Sequence, residues 1–481
     1  MAVPATTSTV PAPTVLGPAQ SRVIWLLLAA AFTAVLNETT MGVAIPHLIH
    51  DLHITAVAAQ WLTTAFMLTM AIVIPITGFL LQRFTTRAVF IAAMSLFSTG
   101  TLLAVLSPGF EMLVVARVVQ ATGTAIMMPL LMTTLMTVVP AHSRGRMMGR
   151  VSIVIALAPA IGPTLSGFLL DTVGWRWNFV VVLPIALIAL AAGARWMRNV
   201  GDTSQAPLDA LSIVLSAFGF GGIVYGLSQV GATAGSAGWL VGSLVVGVVA
   251  LGLFLWRQLL LQRADDALLD LRVFRFSNFS LSIAQMLLLS FAFFGAITVL
   301  PLYLQAVRGV DALEAGLILL PGSLAMGFSG PFIGRIYDRW GTRALLVSGS
   351  VLAVAVLWVY TTLDAATPVW FIVVMQTVLA LGLALSFTPL FTASLASLPR
   401  RLYSHGSAVL GTVQQVAGAA GVAAMIAVMS AISITDGAVG DALTAGGSRG
   451  AFLIAAVVSL PLLAGAFLIR KPVDDAADAP F

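Results

Sequence analysis

The chain contains no cysteine. Disulfides, thiolate metal sites and haem-attachment motifs are therefore excluded. Lysine is almost as scarce: of 23 basic residues only Lys471 is a lysine. A P-loop needs a lysine after its second glycine. Lys471 stands in Ile-Arg-Lys-Pro, so the chain has no P-loop, and ATP-driven work by this polypeptide alone is not expected. Charge of either sign is sparse, at 9% of residues, where an ordinary globular chain carries about 25%. The net charge of +5 comes from arginines scattered between apolar runs. It offers no basic face to nucleic acid. What the chain has instead is apolar surface: 59% hydrophobic residues and a mean hydropathy of +1.04. At 481 residues a soluble protein would form roughly three domains. This composition could not cover them with polar groups, and its natural solvent is lipid.

Apolar stretches of bilayer length lie near 23–46, 58–80, 88–106, 111–138, 151–170, 178–197, 209–229, 238–256, 277–304, 313–334, 344–362, 368–391, 406–431 and 450–469. Fourteen spans follow, in an all-α polytopic fold. With the N-terminus in the cytoplasm, alternate loops and both termini collect 19 of the 23 basic residues. The opposite loops hold Arg176, Arg308 and Arg449, and Arg117 lies within a span. This asymmetry is the positive-inside rule. It places both termini in the cytoplasm. Residues 1–21, rich in Pro, Thr and Ala, and residues 472–481 read as cytoplasmic tails, the first of them disordered and lacking the basic start and apolar core of a signal peptide.

The chain repeats itself at an offset of about 256 residues. Pro75-Ile-Thr-Gly78-Phe-Leu-Leu-Gln82-Arg83-Phe-Thr-Thr-Arg87 returns as Pro331-Phe-Ile-Gly334-Arg-Ile-Tyr-Asp338-Arg339-Trp-Gly341-Thr-Arg343. Gln120 and Gln376 share that offset, and Ser143-Arg-Gly145 returns as Ser404-His-Gly406. Two parallel six-helix halves are expected, residues 22–200 and 266–471, related by an axis along the membrane normal. Residues 201–265 supply two inserted linker helices.

These motifs resemble those of the major facilitator superfamily, in its fourteen-helix drug:proton antiporter branch (EmrB/QacA-like), and the resemblance spans residues 22–470. The family pattern G-x-L-a-D-r-x-G-r-k is matched by Gly334, Asp338, Arg339, Gly341 and Arg343. Its first copy, with Gly78, Arg83 and Arg87, carries Gln82 in place of the Asp and Thr85 in place of the second Gly. Such a set can pair across the cytoplasmic gap and cap helix ends, so it reads as a gate latch with a weaker N-terminal half. Pro159, Gly162, Pro163 and Gly167 resemble the antiporter motif of helix 5, with Ser166 in place of a Gly. The resemblance associates that motif with export rather than uptake. Arg117-Val-Val-Gln120-Ala-Thr-Gly123 resembles R-x-x-q-G-x-G. In helix 1, aligned on Pro46, the family's Asp position holds Asn37 and the carboxylate stands one place on, at Glu38.

Glu38 and Arg117 are the one acidic and one basic residue well inside spans. A buried ionisable group in a membrane is a functional-site hypothesis by default. Glu38 lies eight residues before Pro46 and Arg117 six after Glu111, roughly 12 Å and 9 Å of helix from the outer ends. Their matched depth points to a proton-coupling pair, with a permanent structural ion pair as the alternative. Asn37, Gln60, Trp61, Gln120, Gln285, Tyr303 and Gln376 are candidates for a substrate cavity, and helix–helix hydrogen bonding explains them equally well. His47, His50, His53 and Asp51 have a spacing that could hold a metal, but a short solvated loop accounts for them, and no metal or cofactor is expected.

The resemblance implies a secondary exporter in the plasma membrane, multi-pass and monomeric. It would exchange protons for an apolar or amphipathic compound by alternating access, driven by the proton gradient. Export or flipping of a lipid-like molecule on the same fold is the alternative. A non-transporting sensor or scaffold would need a soluble signalling domain, for which no stretch is long enough. No catalytic constellation is present, so the chain is not expected to be an enzyme.

Overall fold

The computed structural model describes residues 17–200, 203, 209–229, 237–437 and 443–469. Fourteen helices among them are long and apolar enough to cross a membrane. The first half comprises α1 (Pro18–Asp51), α2 (Ala56–Arg83), α3 (Thr86–Leu106), α4 (Phe110–Val138), α5 (Arg144–Thr172) and α6 (Trp177–Trp196). The inserted pair is α7 (Ala210–Ser228) and α8 (Ala237–Leu261). The second half comprises α9 (Ser277–Ala306), α10 (Ala312–Trp340), α11 (Thr342–Tyr360), α12 (Val369–Ala396), α13 (Tyr403–Thr435) and α14 (Ala445–Leu468).

Helix ends follow local chemistry. Thr55, Thr85, Asp311 and Thr444 accept hydrogen bonds from the first-turn N–H groups of α2, α3, α10 and α14, relieving donors that no carbonyl can reach. α1 starts at Pro18, so residues 18–21 are a helical turn and not part of a disordered tail. Proline suits a first turn, and the Gly17 N–H donates to Gln20 Oε1 at 3.1 Å. Gly341 turns α10 into α11 at φ +82°, which a side chain would resist. Thr85 holds the equivalent corner of the first half and caps with its hydroxyl instead.

The packing carries the internal repeat. In the first half α1 packs on α5 and α6, α4 on α2 and α3, and α3 on α6. In the second half α9 packs on α13 and α14, α12 on α10 and α11, and α11 on α14. Two seams join the halves, α5 against α10 and α2 against α13. α7 packs on α8 and also on both α2 and α13, so the inserted pair lies along the second seam. Asp209 ties it together: it caps α7 and accepts a bidentate pair from Arg257 of α8, at 2.6 and 2.8 Å.

The hydrogen bonds between the halves among the described residues gather towards the arginine-rich end. Ser152 meets Thr388 at 2.7 Å, Thr133 meets Ser407 at 2.7 Å, and Arg144 donates to Tyr403 Oη at 3.3 Å. Glycines bring α5 and α10 into backbone contact there: a Cβ on Gly149 would strike the Gly330 carbonyl. Farther along the two helices, a Cβ on Gly167 or Gly316 would meet nothing within 4 Å. The helix bundle is therefore closed at its arginine-rich end.

Candidate functional site

Arg117 of α4 is 1% exposed. Its guanidinium donates to Asn37 Oδ1 at 3.1 Å, Gln120 Oε1 at 2.6 Å and the Leu62 carbonyl at 3.4 Å. It also stacks over the Phe66 ring at 4.1 Å. Gln120 is fixed in turn by donating to Thr101 Oγ1 at 2.8 Å. Three helices thus converge on one buried cation, and every one of these partners is neutral. Such bonds and a cation–π contact offset part of the burial cost.

Glu38 makes no ion pair with Arg117 in this conformation; Asn37 holds the position facing it. One residue turns a helix by about 100°, so with Asn37 directed at α4, Glu38 points elsewhere. It is half-buried and within Coulombic reach of Arg117. The matched depth read from the sequence brings the two charges close, but the one-place shift along α1 separates their side chains.

The next two residues of α1 meet α5. Thr39 Oγ1 donates to the Leu36 carbonyl at 3.0 Å and reaches the Ala158 carbonyl at 3.4 Å. Gly162 leaves room for it, since a Cβ there would collide with Thr39. Ser166 donates to the Thr40 carbonyl at 2.9 Å. Gly162 and Ser166 are one turn apart and clamp the turn of α1 that carries Glu38. Pro159 lies within α5 on the same stretch. Gly167 adjoins open space. The side chains of Pro163 and Gln60 lie outside the described residues.

The other end of α5 meets the motif residues of α10. Asp338 of α10 accepts from the N–H groups of Gly145 and Arg146, at 2.8 and 2.9 Å. A carboxylate there satisfies first-turn donors and meets the positive end of the helix dipole. Gly334 lets α10 come this close, lying against the Gly145 carbonyl. At the equivalent seam Gln82 of α2 donates to the Arg401 carbonyl at 2.8 Å, and Gly78 packs beneath His405 of α13. Two motif arginines stay within their own halves. Arg87 donates to the Ala194 carbonyl at the end of α6, and Arg343 stacks on Phe467 of α14 at 5.2 Å. Arg83 and Arg339 are exposed.

The remaining cavity candidates serve helix contacts instead. Asn37 and Gln120 belong to the arginine cluster. Gln376 accepts from Tyr360 Oη at 2.9 Å, Tyr303 Oη donates to the Asp364 carbonyl at 2.6 Å, and Gln285 donates to the Leu462 carbonyl at 3.4 Å. All five are at least nine-tenths buried. Trp61 stacks on Tyr225 of α7 at 5.8 Å. The reason is general: a polar group in an apolar span takes the nearest helix partner before it faces a cavity. An apolar groove of about 770 Å³ lies between α2, α7 and α8, lined by Leu68, Ile72, Phe218 and Trp239 among others. Its lining includes none of the residues that contact Arg117.

Sequence reasoning missed Leu62 and Phe66 as partners of Arg117, Thr101 as the partner of Gln120, and Ser152, Thr388, Thr133 and Ser407 as bonds between the halves. A carbonyl and a phenyl ring leave no polar signal. Lone hydroxyls in spans are too common to single out.

Residues 27–422 match the family model of the Major Facilitator Superfamily. The chain is 43% identical over 462 residues to the uncharacterized MFS-type transporter YcnB of Bacillus subtilis, covering 96% of this chain and 97% of that protein. It is 40% identical over 409 residues to the lincomycin resistance protein LmrB of Listeria monocytogenes, covering 85% and 86%. The solved human organic anion transporter MFSD10 superposes with a TM-score of 0.64 over 94% of this chain and 100% of that one, at 13% identity, which speaks to the fold alone.

Proposed function

This chain belongs to the major facilitator superfamily, as a multi-pass transporter related to drug-resistance exporters, and on that footing we propose that it exports apolar or amphipathic compounds, lincomycin-like antibiotics among them, in exchange for protons. The observation that carries the reading is Glu38: a half-buried carboxylate beside a buried arginine whose hydrogen-bond partners are all neutral. Ionised, Glu38 balances Arg117; protonated, it leaves the guanidinium without a counter-charge. That change of several kcal/mol in a low-dielectric site falls on the turn of α1 clamped by Gly162 and Ser166. α5 then works as a lever, one end on the coupling site and the other capped by Asp338. The arginine-rich end is cytoplasmic in this reading, so the closed conformation opens outward. Protons enter at Glu38 from outside, and substrate leaves by the same side.

The test is transport by the purified protein in proteoliposomes, using lincomycin, an amphipathic cation and a fluorescent lipid, with and without an imposed pH gradient. Accumulation of lincomycin or the cation that rises with the gradient and collapses with a protonophore is expected. Transport indifferent to the gradient sinks the antiport reading, and movement of the lipid alone would replace the substrate class.

A further inference from the structure

His405 opens α13 at the arginine-rich end and is 3% exposed. It stands where the first half has Arg144, because Ser404-His405-Gly406 repeats Ser143-Arg144-Gly145. The two behave differently. Arg144 uses its donors on the carbonyls of Val139 and Met136 and on Tyr403 Oη, at 3.3, 3.1 and 3.3 Å. His405 is wedged into the α2–α13 seam. A Cβ on Gly78 would stand 3.0 Å from its Nδ1 and 3.3 Å from its Cα. That Nδ1 is buried and has no hydrogen-bond partner among the described residues.

A neutral imidazole can leave one nitrogen as a bare acceptor; a protonated one needs acceptors for two N–H groups. The surroundings offer little. The segment Leu271–Arg275 and the residue before it bring Asp270 and Arg272 towards His405. Burial pushes the Asp270 carboxyl up, but the hydrogen bonds from Arg272 outweigh it and hold the group below the usual carboxylate range. Its oxygens are already taken: Arg272 Nε reaches both at 2.9 Å and Nη2 reaches one at 2.6 Å. α9 contributes Phe279, α12 Leu395 and the segment after it Leu398 beside the neighbouring Gly406, and α4 contributes Thr133. Arg83, Arg144, Arg400 and Arg401 also lie at this end and have the wrong sign, and His142 is exposed. Of the carboxylates at this end, Asp338 binds the N-terminus of α5 at the other seam, and Asp209 and Asp265 are paired with Arg257 and Arg272.

We propose that His405 is a proton-operated release of the closed arginine-rich end: protonating its imidazole places in the α2–α13 seam a buried cation whose Nδ1–H has no acceptor among the described residues, and the seam opens to hydrate it. The sign follows from linkage. The closed conformation holds the neutral ring, whereas in the open one the ring is hydrated and titrates near 6.5. The closed-to-open ratio is therefore constant above that pH and falls by up to about tenfold per pH unit below it, for one proton. The proposal rests on alternating access alone. It requires neither the role of Glu38 nor a known substrate.

The absence of native cysteine makes the test direct. Cysteines at the exposed positions Phe84 and Arg400 take spin labels on the two sides of the seam, in the full chain in nanodiscs. A Glu38→Gln background silences the deep carboxylate. Distances are measured from pH 8 to pH 5.5. The expected result is a short distance at pH 8 and a long-distance population rising about tenfold by pH 5.5, with His405→Gln and His405→Asn closed throughout. If either folded variant responds to pH as its parent does, or is open at both pH values, the proposal fails. It fails equally if the parent does not respond.

Discussion

The two seams between the halves are related by the internal repeat, yet they are closed by different chemistry. At α5–α10 a carboxylate accepts two backbone N–H groups at a helix N-terminus, over glycines in backbone contact. At α2–α13 a neutral amide donates one bond to a carbonyl, beside a buried imidazole. The halves differ in depth as well. The first buries Arg117 with Glu38 beside it, whereas the position of Arg117 in the repeat is Val373. One half carries the charge and the other answers it: Asp338, from the second half, holds the end of the helix whose other end clamps the charged turn of α1. A repeat therefore fixes where contacts fall but not what each contact does.

The comparison breaks most visibly at Glu38. Glu38→Gln is expected to reduce gradient-driven export to background while the protein still inserts and binds substrate. Val373→Ala should keep the wild-type proton-to-substrate ratio. Flux measured in proteoliposomes at fixed gradient checks both. Wild-type pumping by Glu38→Gln would mean that the charge asymmetry between the halves is not the coupling asymmetry.

A smaller effect is expected at the two seams. Hydrogen bonds to charged groups contribute about 1.5–3 kcal/mol and neutral ones about 0.5–1.5. Asp338→Asn should accordingly move the resting population towards the conformation open at the arginine-rich end by about tenfold, and Gln82→Ala by about threefold or less, the low end of the neutral range, because its bond is exposed to water. Spin labels at His142 and Trp340 report the first seam and labels at Phe84 and Arg400 the second. Equal shifts from both variants would make the seams equivalent after all.

The smallest effect concerns the inserted pair, which belongs to neither half. Hydrogen bonds from Arg257, with others from Ser212, lower the Asp209 carboxyl to about 2 against the cost of burial. A depressed carboxyl adds stability above its ordinary titration near 4, and that stability is lost as pH falls towards 2. Asp209→Asn should lower thermal stability at neutral pH by about 0.5–1 kcal/mol, after allowing for solvent screening. The difference from wild type should vanish below about pH 2. Calorimetry across that range checks it, and transport should change little.

Much of this was legible in the residues. Apolar runs of bilayer length mark the fourteen spans because the backbone must satisfy itself inside lipid. The motif copies 256 residues apart announce paired seams. Asn37, aligned on Pro46 with a family carboxylate position, marked the one-place shift of the carboxylate to Glu38, but the sequence was read as pairing Arg117 with Glu38. The cavity candidates were not legible, because a glutamine facing a neighbouring helix and one facing a cavity have the same neighbours in sequence.

Composition and periodicity by themselves determined a polytopic helical protein with a duplicated core, since hydropathy and repeat are properties of the chain read in order. Only the tertiary structure decided that Asn37 and not Glu38 touches Arg117, that Asp338 caps α5, and that His405 is sealed against Gly78. Each of these depends on the rotation of one helix against another, and a step of one residue, about 100°, is enough to exchange one partner for the next.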